Sequence, residues 1–360
     1  MSSKVFAAID VGSYELVMKI FEFSGKEGMK QIDFIRHRIE LGTDTYNTGK
    51  ISQDKVNELC EILKKFTVIM QGYKVAAYRA CGTSALRETE NRMIVLDQIH
   101  VRTGIKIEVL SNSEQRFLHY KSVASKGGMF DKVIEKSTAI VDVGGGSIQI
   151  SLFDKDSLVT TQNIRLGILR IREMLCDMQP RNIEYVHLIE ELVDNQLLSF
   201  QQLYLKDRKI QNIIVVDDYI SYVMQKIGEE QKEDSVTDKQ FLAFVDILRI
   251  KSPEQITKYL GMPEEMASLL MPSAILFKRI IELTGAQMLW APGVGLSDGI
   301  AFDYAQKNKL IKVQHDFEAD IVACAVNVCK RYKANTVRNQ VVAKVALDIF
   351  DCTKKLHGLG

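Results

Sequence analysis

The chain has 360 residues, 46% of them hydrophobic and 26% charged, a profile that excludes disordered and fibrous classes and leaves room for two or three folded domains. With 47 basic and 46 acidic residues the formal net charge is +1, so no global field recruits nucleic acid or an anionic membrane. No apolar run reaches the length of a membrane span, and MSSKVFAAIDVG lacks the layout of a signal peptide; a cytoplasmic protein that partners neither DNA nor a membrane is expected.

In chain order, VFAAID and ELVMKIFEF are rich in β-branched and apolar residues and break at Gly12-Ser13, which reads as a tight hairpin. Ser52 caps a predicted helix through DKVNELCEILKKF, where Val56, Leu59, Leu63 and Phe66 have helical spacing. KVAAYRACGTSALRET then reads as a strand, a Gly82-Thr83 turn and a helix start. IKIEVL is a further strand, and Ser111 opens the helix SNSEQRFLHYKSVAS. Residues 127–137, GGMFDKVIEKS, look like the passage between two halves, because the glycine pair would end the preceding helix.

The second half opens as the first does. Residues 139–142 and 148–153 are predicted strands around Gly144-Gly145-Gly146-Ser147, so Asp-Val-Gly occurs at residues 10–12 and again at 142–144. Helices are expected from about Ile168 to Leu205 and from Asp238 to Thr284, around a strand at Asn212 to Val216. The last sixty residues, including ADIVACAVNVCKRYKA and NQVVAKVALDIFDCTKKL, read as amphipathic helices with no strand between them. Strands alternating with helices argue for an α/β fold. The six cysteines, Cys60, Cys81, Cys176, Cys324, Cys329 and Cys352, contain no C-x-x-C pair and the histidines lack zinc spacing, so reduced, buried thiols are expected.

A strand follows each glycine loop, which excludes the dinucleotide-binding fingerprint, and Gly49-Lys50 lacks the context of a Walker loop. What fits is a pair of hairpins whose N–H groups close on phosphate while a neighbouring aspartate holds a hydrated divalent cation. Gly12, Ser13, Gly144, Gly145, Gly146 and Ser147 are then phosphate-binding candidates, with Asp10 and Asp142 as metal ligands across one cleft.

These loops, with YRACGTSALRET, IEVLSNSEQR, VDVGGGSIQISLF, RLGILRI and APGVGLSDGI in that order, resemble the exopolyphosphatase and guanosine pentaphosphate phosphatase (Ppx/GppA) family of the actin-like ATPase superfamily. The resemblance implies two actin-like (ribonuclease H-like) domains around a cleft, at 1–126 and 127–302. It makes 303–360 a helical segment similar to the start of an HD-like domain; His315-Asp316 precedes those helices and is not read as its metal pair. It also implies removal of terminal phosphate from polyphosphate or guanosine pentaphosphate with Mg²⁺, adds Thr83 and Arg87 to the phosphate contacts, and leaves open a homodimer.

The catalytic motifs depart from the family's pattern. The second glutamate of the usual Ser-Gly-x-Glu-Glu-Ala-Arg, the presumed base, is Gln115 here, and an amide cannot take a proton near neutral pH. Glu114 is the adjacent acid, yet neighbouring side chains on a helix point about 100° apart. The glutamate usual after the glycine triplet is Gln149. Tyr14 stands where a small amide is usual, Asp217-Asp218 where a glycine-threonine loop is, and Ser297-Asp298-Gly299 where an Arg-Glu-Gly is; Glu15 and Glu88 are candidate replacement carboxylates. Two functions follow: a weak phosphohydrolase using Glu114, Gln115 and Gln149 as its reacting set, or an inactive phosphate- or nucleotide-binding sensor or scaffold. An actin-like ATPase is a distant third.

Overall fold

Both Asp-Val-Gly segments fold into hairpins with aspartate at the same place. In the computed structural model, which describes residues 4–24, 28–175, 183–231, 235–262, 264–313 and 315–358, β1 (Lys4–Val11) turns into β2 (Glu15–Ser24), and β3 (Gly28–Arg38) follows. The first half continues through α1 (Leu41–Thr48), α2 (Gln53–Gly72), β4 (Ala77–Gly82), α3 (Ser84–Glu88), α4 (Arg92–Thr103), β5 (Ile107–Val109), α5 (Asn112–Ala124) and α6 (Gly128–Ile134). The second opens with β6 (Thr138–Val143), β7 (Ile148–Asp154) and β8 (Ser157–Ile164), then α7 (Ile168–Met174) and α8 (Ile183–Phe200). It proceeds through β9 (Asn212–Val216), α9 (Asp218–Gln231), β10 (Ser235–Thr237), α10 (Asp238–Ile250), α11 (Pro253–Leu260), α12 (Glu264–Thr284) and β11 (Met288–Trp290). The chain ends in α13 (Leu296–Lys307), α14 (Phe317–Arg331), α15 (Thr336–Cys352) and α16 (Lys354–His357).

The repeat is one of topology as well as sequence. The first sheet has the order β3-β2-β1-β4-β5, antiparallel through β1 and parallel beyond it, and the second, β10-β11-β9-β6-β7-β8, repeats that scheme around β6 and adds β10 antiparallel at its edge. In register, Asp10 faces Val17 and Asp142 faces Gln149. β1 and β6 are covered on both faces, which is why they read as almost continuous apolar runs rather than alternations. β3 is the half-exposed edge strand, and its polar GMKQIDFIRHR conceals it from a hydrophobic pattern.

Local signals hold where they were strongest. Ser52 Oγ accepts from Lys55 N–H at the start of α2, and Val56, Leu59, Leu63 and Phe66 pack into the first core. Residues 127–137 are not a simple connector, because the glycine pair opens α6, whose Phe130 and Ile134 are buried. Cys60 and Cys81 are buried as expected, but Cys352 is exposed and Cys176 lies outside the described residues.

A boundary at 302/303 would cut α13. That helix packs on α5, β1 and β2 of the first half, and Leu296, Ile300, Ala301 and Ala305 fill one cluster with Phe6, Ala8, Phe21 and Leu118. α14 instead lies along β8, where Leu158 N–H donates to Asp320 Oδ1 at 3.3 Å, and Tyr120 and His315 also bond Asp320. α15 buries no residue. At the α5–α13 crossing a Cβ on Gly299 would lie 1.9 Å from Leu118 O. Gly299→Ala should therefore force the helices apart and cost about 1–3 kcal/mol, read as a lower denaturation midpoint; an unchanged midpoint would show that the crossing is not rigid.

Candidate functional site

The ends of β1, β6 and β9, the N-terminal turn of α5 and the loop before α13 enclose a cavity of about 140 Å³ between the halves. Asp10, Glu15, Asp142, Asp217 and Asp218 line it, with Gln115 and His119 from α5, and no lysine or arginine among the described residues does. Gly12, Ser13, Thr83, Gly144, Gly145 and Ser147 also reach its wall. Gly146, Arg87, Glu114 and Gln149 do not.

The glycines act first on one another's hairpins. Gly12 N–H donates to Glu15 O at 2.9 Å and Gly144 N–H to Ser147 O at 3.0 Å, so in both loops that N–H closes the turn. Ser13 Oγ bonds Ser84 Oγ at 2.6 Å, accepts from Tyr46 Oη at 2.8 Å and from Ala85 N–H at 3.2 Å, so its hydroxyl is a joint of the first half. A Cβ on Gly146 would meet Tyr46 Oη at 2.1 Å, and one on Gly167 would meet Gly145 C at 2.3 Å. Gly146 is thus required where the triplet meets Tyr46 of the first half, and Gly167 where RLGILRI meets the triplet.

Opposite charges hold that contact at the rim. Glu88 Oε2 accepts from Arg165 at 2.6 Å and Arg170 at 3.0 Å, Glu40 Oε1 accepts from Arg172 at 3.2 Å, and Arg170 stacks 4.0 Å over the Tyr46 ring. Glu88 is committed to these arginines and supplies no carboxylate to the cleft. Tyr14 leaves the first hairpin to join the core of the second half, with Arg172 5.6 Å from its ring, so it bridges the halves.

α5 sorts the motif residues by helical angle. Ser111 and Glu114 form a capping box, with Ser111 N–H donating to Glu114 Oε2 at 2.8 Å, so Glu114 serves the helix start on the exposed side and is removed from the reacting set. Gln115 faces inward; its Oε1 accepts from Arg87 at 3.1 Å, and Arg87 also donates to Leu110 O at 2.8 Å. One turn on, His119 Nδ1 pairs with Asp142 Oδ2, a contact the motifs did not reveal. Asp142 is therefore bound to an imidazole as well as facing the cleft. Gln149, its cross-strand neighbour, is 2% exposed with both amide atoms lacking a partner among the described residues. An unpaired buried amide group costs about 1–3 kcal/mol, so Gln149→Met should raise the unfolding free energy by about that amount in denaturant titration, and a fall would reveal a hidden partner.

Burial pushes the Asp10 carboxyl up to about 7, with Asp218 and Asp142 adding to the rise. Burial likewise lifts Glu15 to about 8, with Asp218 adding to it against Arg36, and Asp217 to about 7. Asp217 is spoken for by Ile220 N–H at 2.6 Å and Ser273 Oγ at 2.8 Å, and Asp218 by Arg36 at 2.7 Å, so neither carries a bare repelling charge. The arginine position of the last loop is Ser297, whose buried Oγ has no partner among the described residues, and the next residue, Asp298, accepts from Lys19 Nζ and Gly295 N–H. Among the described residues no three His, Cys, Asp or Glu side chains converge as a metal cage. Mg²⁺ needs only one or two carboxylates besides water and phosphate, and Asp10, with Oδ1 buried and unpartnered on the cavity floor, fits that need.

The signs add. Asp10, Glu15 and Asp217 keep protons in the folded state at pH values where the unfolded chain, near 3.8 to 4.5, has lost them. Burial opposes charge on His119, but Asp142 prevails and raises it, so its contribution is also lost as pH rises through the folded value. Without divalent cations the melting temperature should fall between roughly pH 4 and 8, and Asp10→Asn with Glu15→Gln should flatten the slope.

Residues 20–308 match the Ppx/GppA phosphatase family. The chain is 22% identical to a guanosine-5'-triphosphate,3'-diphosphate pyrophosphatase of Vibrio cholerae, covering 96% of this chain and 67% of that protein. It is 24% identical to exopolyphosphatase 1 of Mycobacterium tuberculosis, covering 52% and 54%, and 24% identical to a bifunctional 3-dehydroquinate synthase/phosphatase of Fusobacterium nucleatum, covering 46% and 26%. The last two of these matches thus span only 54% and 26% of the relative's length. Among solved structures, an exopolyphosphatase from Cytophaga hutchinsonii superposes with a TM-score of 0.73 at 18% identity, covering 87% of this chain and 100% of that one. The Aquifex aeolicus member of the family gives 0.68 at 19%, covering 88% and 100%. The fold is the two-domain, actin-like one.

Proposed function

The chain belongs to the Ppx/GppA phosphatase family, and from that premise we propose that it is a Mg²⁺-dependent phosphohydrolase that removes a terminal phosphoryl group from guanosine pentaphosphate or inorganic polyphosphate. The observation that carries this reading is the buried His119–Asp142 pair beside Gln115, which restores a proton acceptor where the motif has an amide. Asp142 holds Nδ1 and so fixes the ring, leaving Nε2 as the nitrogen that accepts a proton from the attacking water. Water oxygen bonds to the terminal phosphorus, the bridging P–O bond breaks toward the remaining chain, and the water's proton passes to His119.

Gln115 does different work from a base. Its Oε1 is occupied by Arg87, so its amide NH₂ is the group left to donate to a phosphate oxygen or to the water. A cleft walled by carboxyls and lacking lysine and arginine admits a polyanion only with cations. When bound, Mg²⁺ would be held through Asp10 and would offset charge on the phosphoryl oxygens.

An adjoining cavity of about 390 Å³ shares Asp10, Glu15 and Asp218 with the cleft and is walled by Phe34, Tyr222 and Met266, with Lys19 and Arg36 also lining it but paired to Asp298 and Asp218. A bare phosphate chain has no use for aromatic walls, whereas a base does, so the nucleotide is favoured over polyphosphate. The test is Mg²⁺-dependent phosphate release from guanosine pentaphosphate and long-chain polyphosphate. Release should be faster for the nucleotide, fall about 10²–10⁴-fold in His119→Gln, and lose its acid limb in that variant. Unchanged release in His119→Gln removes the base assignment, and saturable nucleotide binding without any release leaves the sensor reading standing.

A further inference from the structure

The side of α5 turned away from the cleft carries a third, differently built cavity. Phe117 and Tyr120 of α5, Phe153 and Leu158 of the β7–β8 hairpin, and Ile321 and Cys324 of α14 line a space of about 500 Å³. Pockets of about 300–1,000 Å³ with aromatic and aliphatic walls and a few placed polar groups are those that take small organic molecules. The polar groups here are ordered. In the strand register Ser151 faces Thr161 and Phe153 faces Leu158, and on α5 the polar turn at Ser113 and Arg116 precedes Phe117 and Tyr120.

Arg116 lacks what a partly buried arginine ordinarily has. It donates to Ser113 Oγ at 3.0 Å, but its Nε is buried without a partner and it forms no ion pair among the described residues. Glu114, the acid at the same rim, is held by Ser111 N–H. Ser151 and Thr161 satisfy each other at 2.9 Å. A desolvated guanidinium without a carboxylate is costly, and a planar anion can take it bidentately.

We propose that this groove binds a small amphipathic carboxylate, an aliphatic or aryl acid whose body lies among Phe117, Tyr120, Phe153 and Ile321 and whose carboxylate pairs with Arg116. The charge argues for that occupant over a purely apolar one. The site is separate from the cleft, since Gln115 and His119 leave α5 on the other side, and it does not depend on the proposed hydrolase reaction.

The experiment is calorimetric titration of the full chain with decanoate, with decanol as the uncharged control, alongside Arg116→Met, Arg116→Lys and a substitution at Ala325, which lines the groove from α14, Ala325→Trp. Saturable binding at one site is expected, at least tenfold tighter for decanoate than for decanol. The preference should vanish in Arg116→Met, persist in the charge-keeping Arg116→Lys, and binding of both should be lost when tryptophan fills the groove. Tripolyphosphate with Mg²⁺ should not displace decanoate. Equal affinity for acid and alcohol, undiminished decanoate binding by Arg116→Met, or displacement by tripolyphosphate would each overturn the assignment. So would sedimentation showing a dimer that decanoate leaves intact and that Ala325→Trp dissociates, because a second copy would then fill the groove.

Discussion

The carbonyl of Leu118 lies where a side chain at residue 299 would have to go, and the rest of the molecule is arranged around that contact. Because Gly299 has no Cβ, α13 returns from the second half and lies directly on α5 beneath the first sheet. α5 consequently belongs to both halves: Leu118 enters the core under β1, while Tyr120 and Val123 enter the core under β6 and β9. With its rotation fixed on both sides, the helix has no freedom in what it presents to the cleft. Gln115 and His119 face inward, and Arg116 and Phe117 face the groove behind.

Electrostatics gives the cleft its second constraint. Carboxyls from both halves converge on a small enclosed space, and burial raises the ones from the first hairpin rather than leaving them ionised. Such an arrangement is poor at holding phosphate by itself and well suited to holding it through a cation. The rim shows the reverse pattern, with arginines of the second half seated on Glu88 and Glu40 of the first.

Much of this was legible. The paired Asp-Val-Gly hairpins, the Ser52 and Ser111 caps and the angle between Glu114 and Gln115 all rest on short-range rules, and short-range rules survive into the structure. His119 also had a signal, since it lies four residues after Gln115 and hence on the same face of the helix. What sequence could not supply was its partner, because Asp142 reaches it only after two separate halves have closed. The same holds for Tyr46, whose segment carries no strong pattern yet whose hydroxyl joins Ser13, Ser84 and the space above Gly146. Glycines chosen for that contact and glycines chosen for a phosphate look alike in sequence.

The two amides of the motif, similar as substitutions, have become different things. Gln115 sits in a network, its Oε1 accepting from an arginine that Leu110 O also holds. Gln149 sits in none, and its neighbours in register, Asp142 and Asn163, leave both of its amide atoms unanswered. An apolar side chain of the same size would remove the cost of burying them. Gln149 lies outside the cavity wall, so that cost falls on the second hairpin, and the polar atom left unanswered at the cleft itself is Asp10 Oδ1.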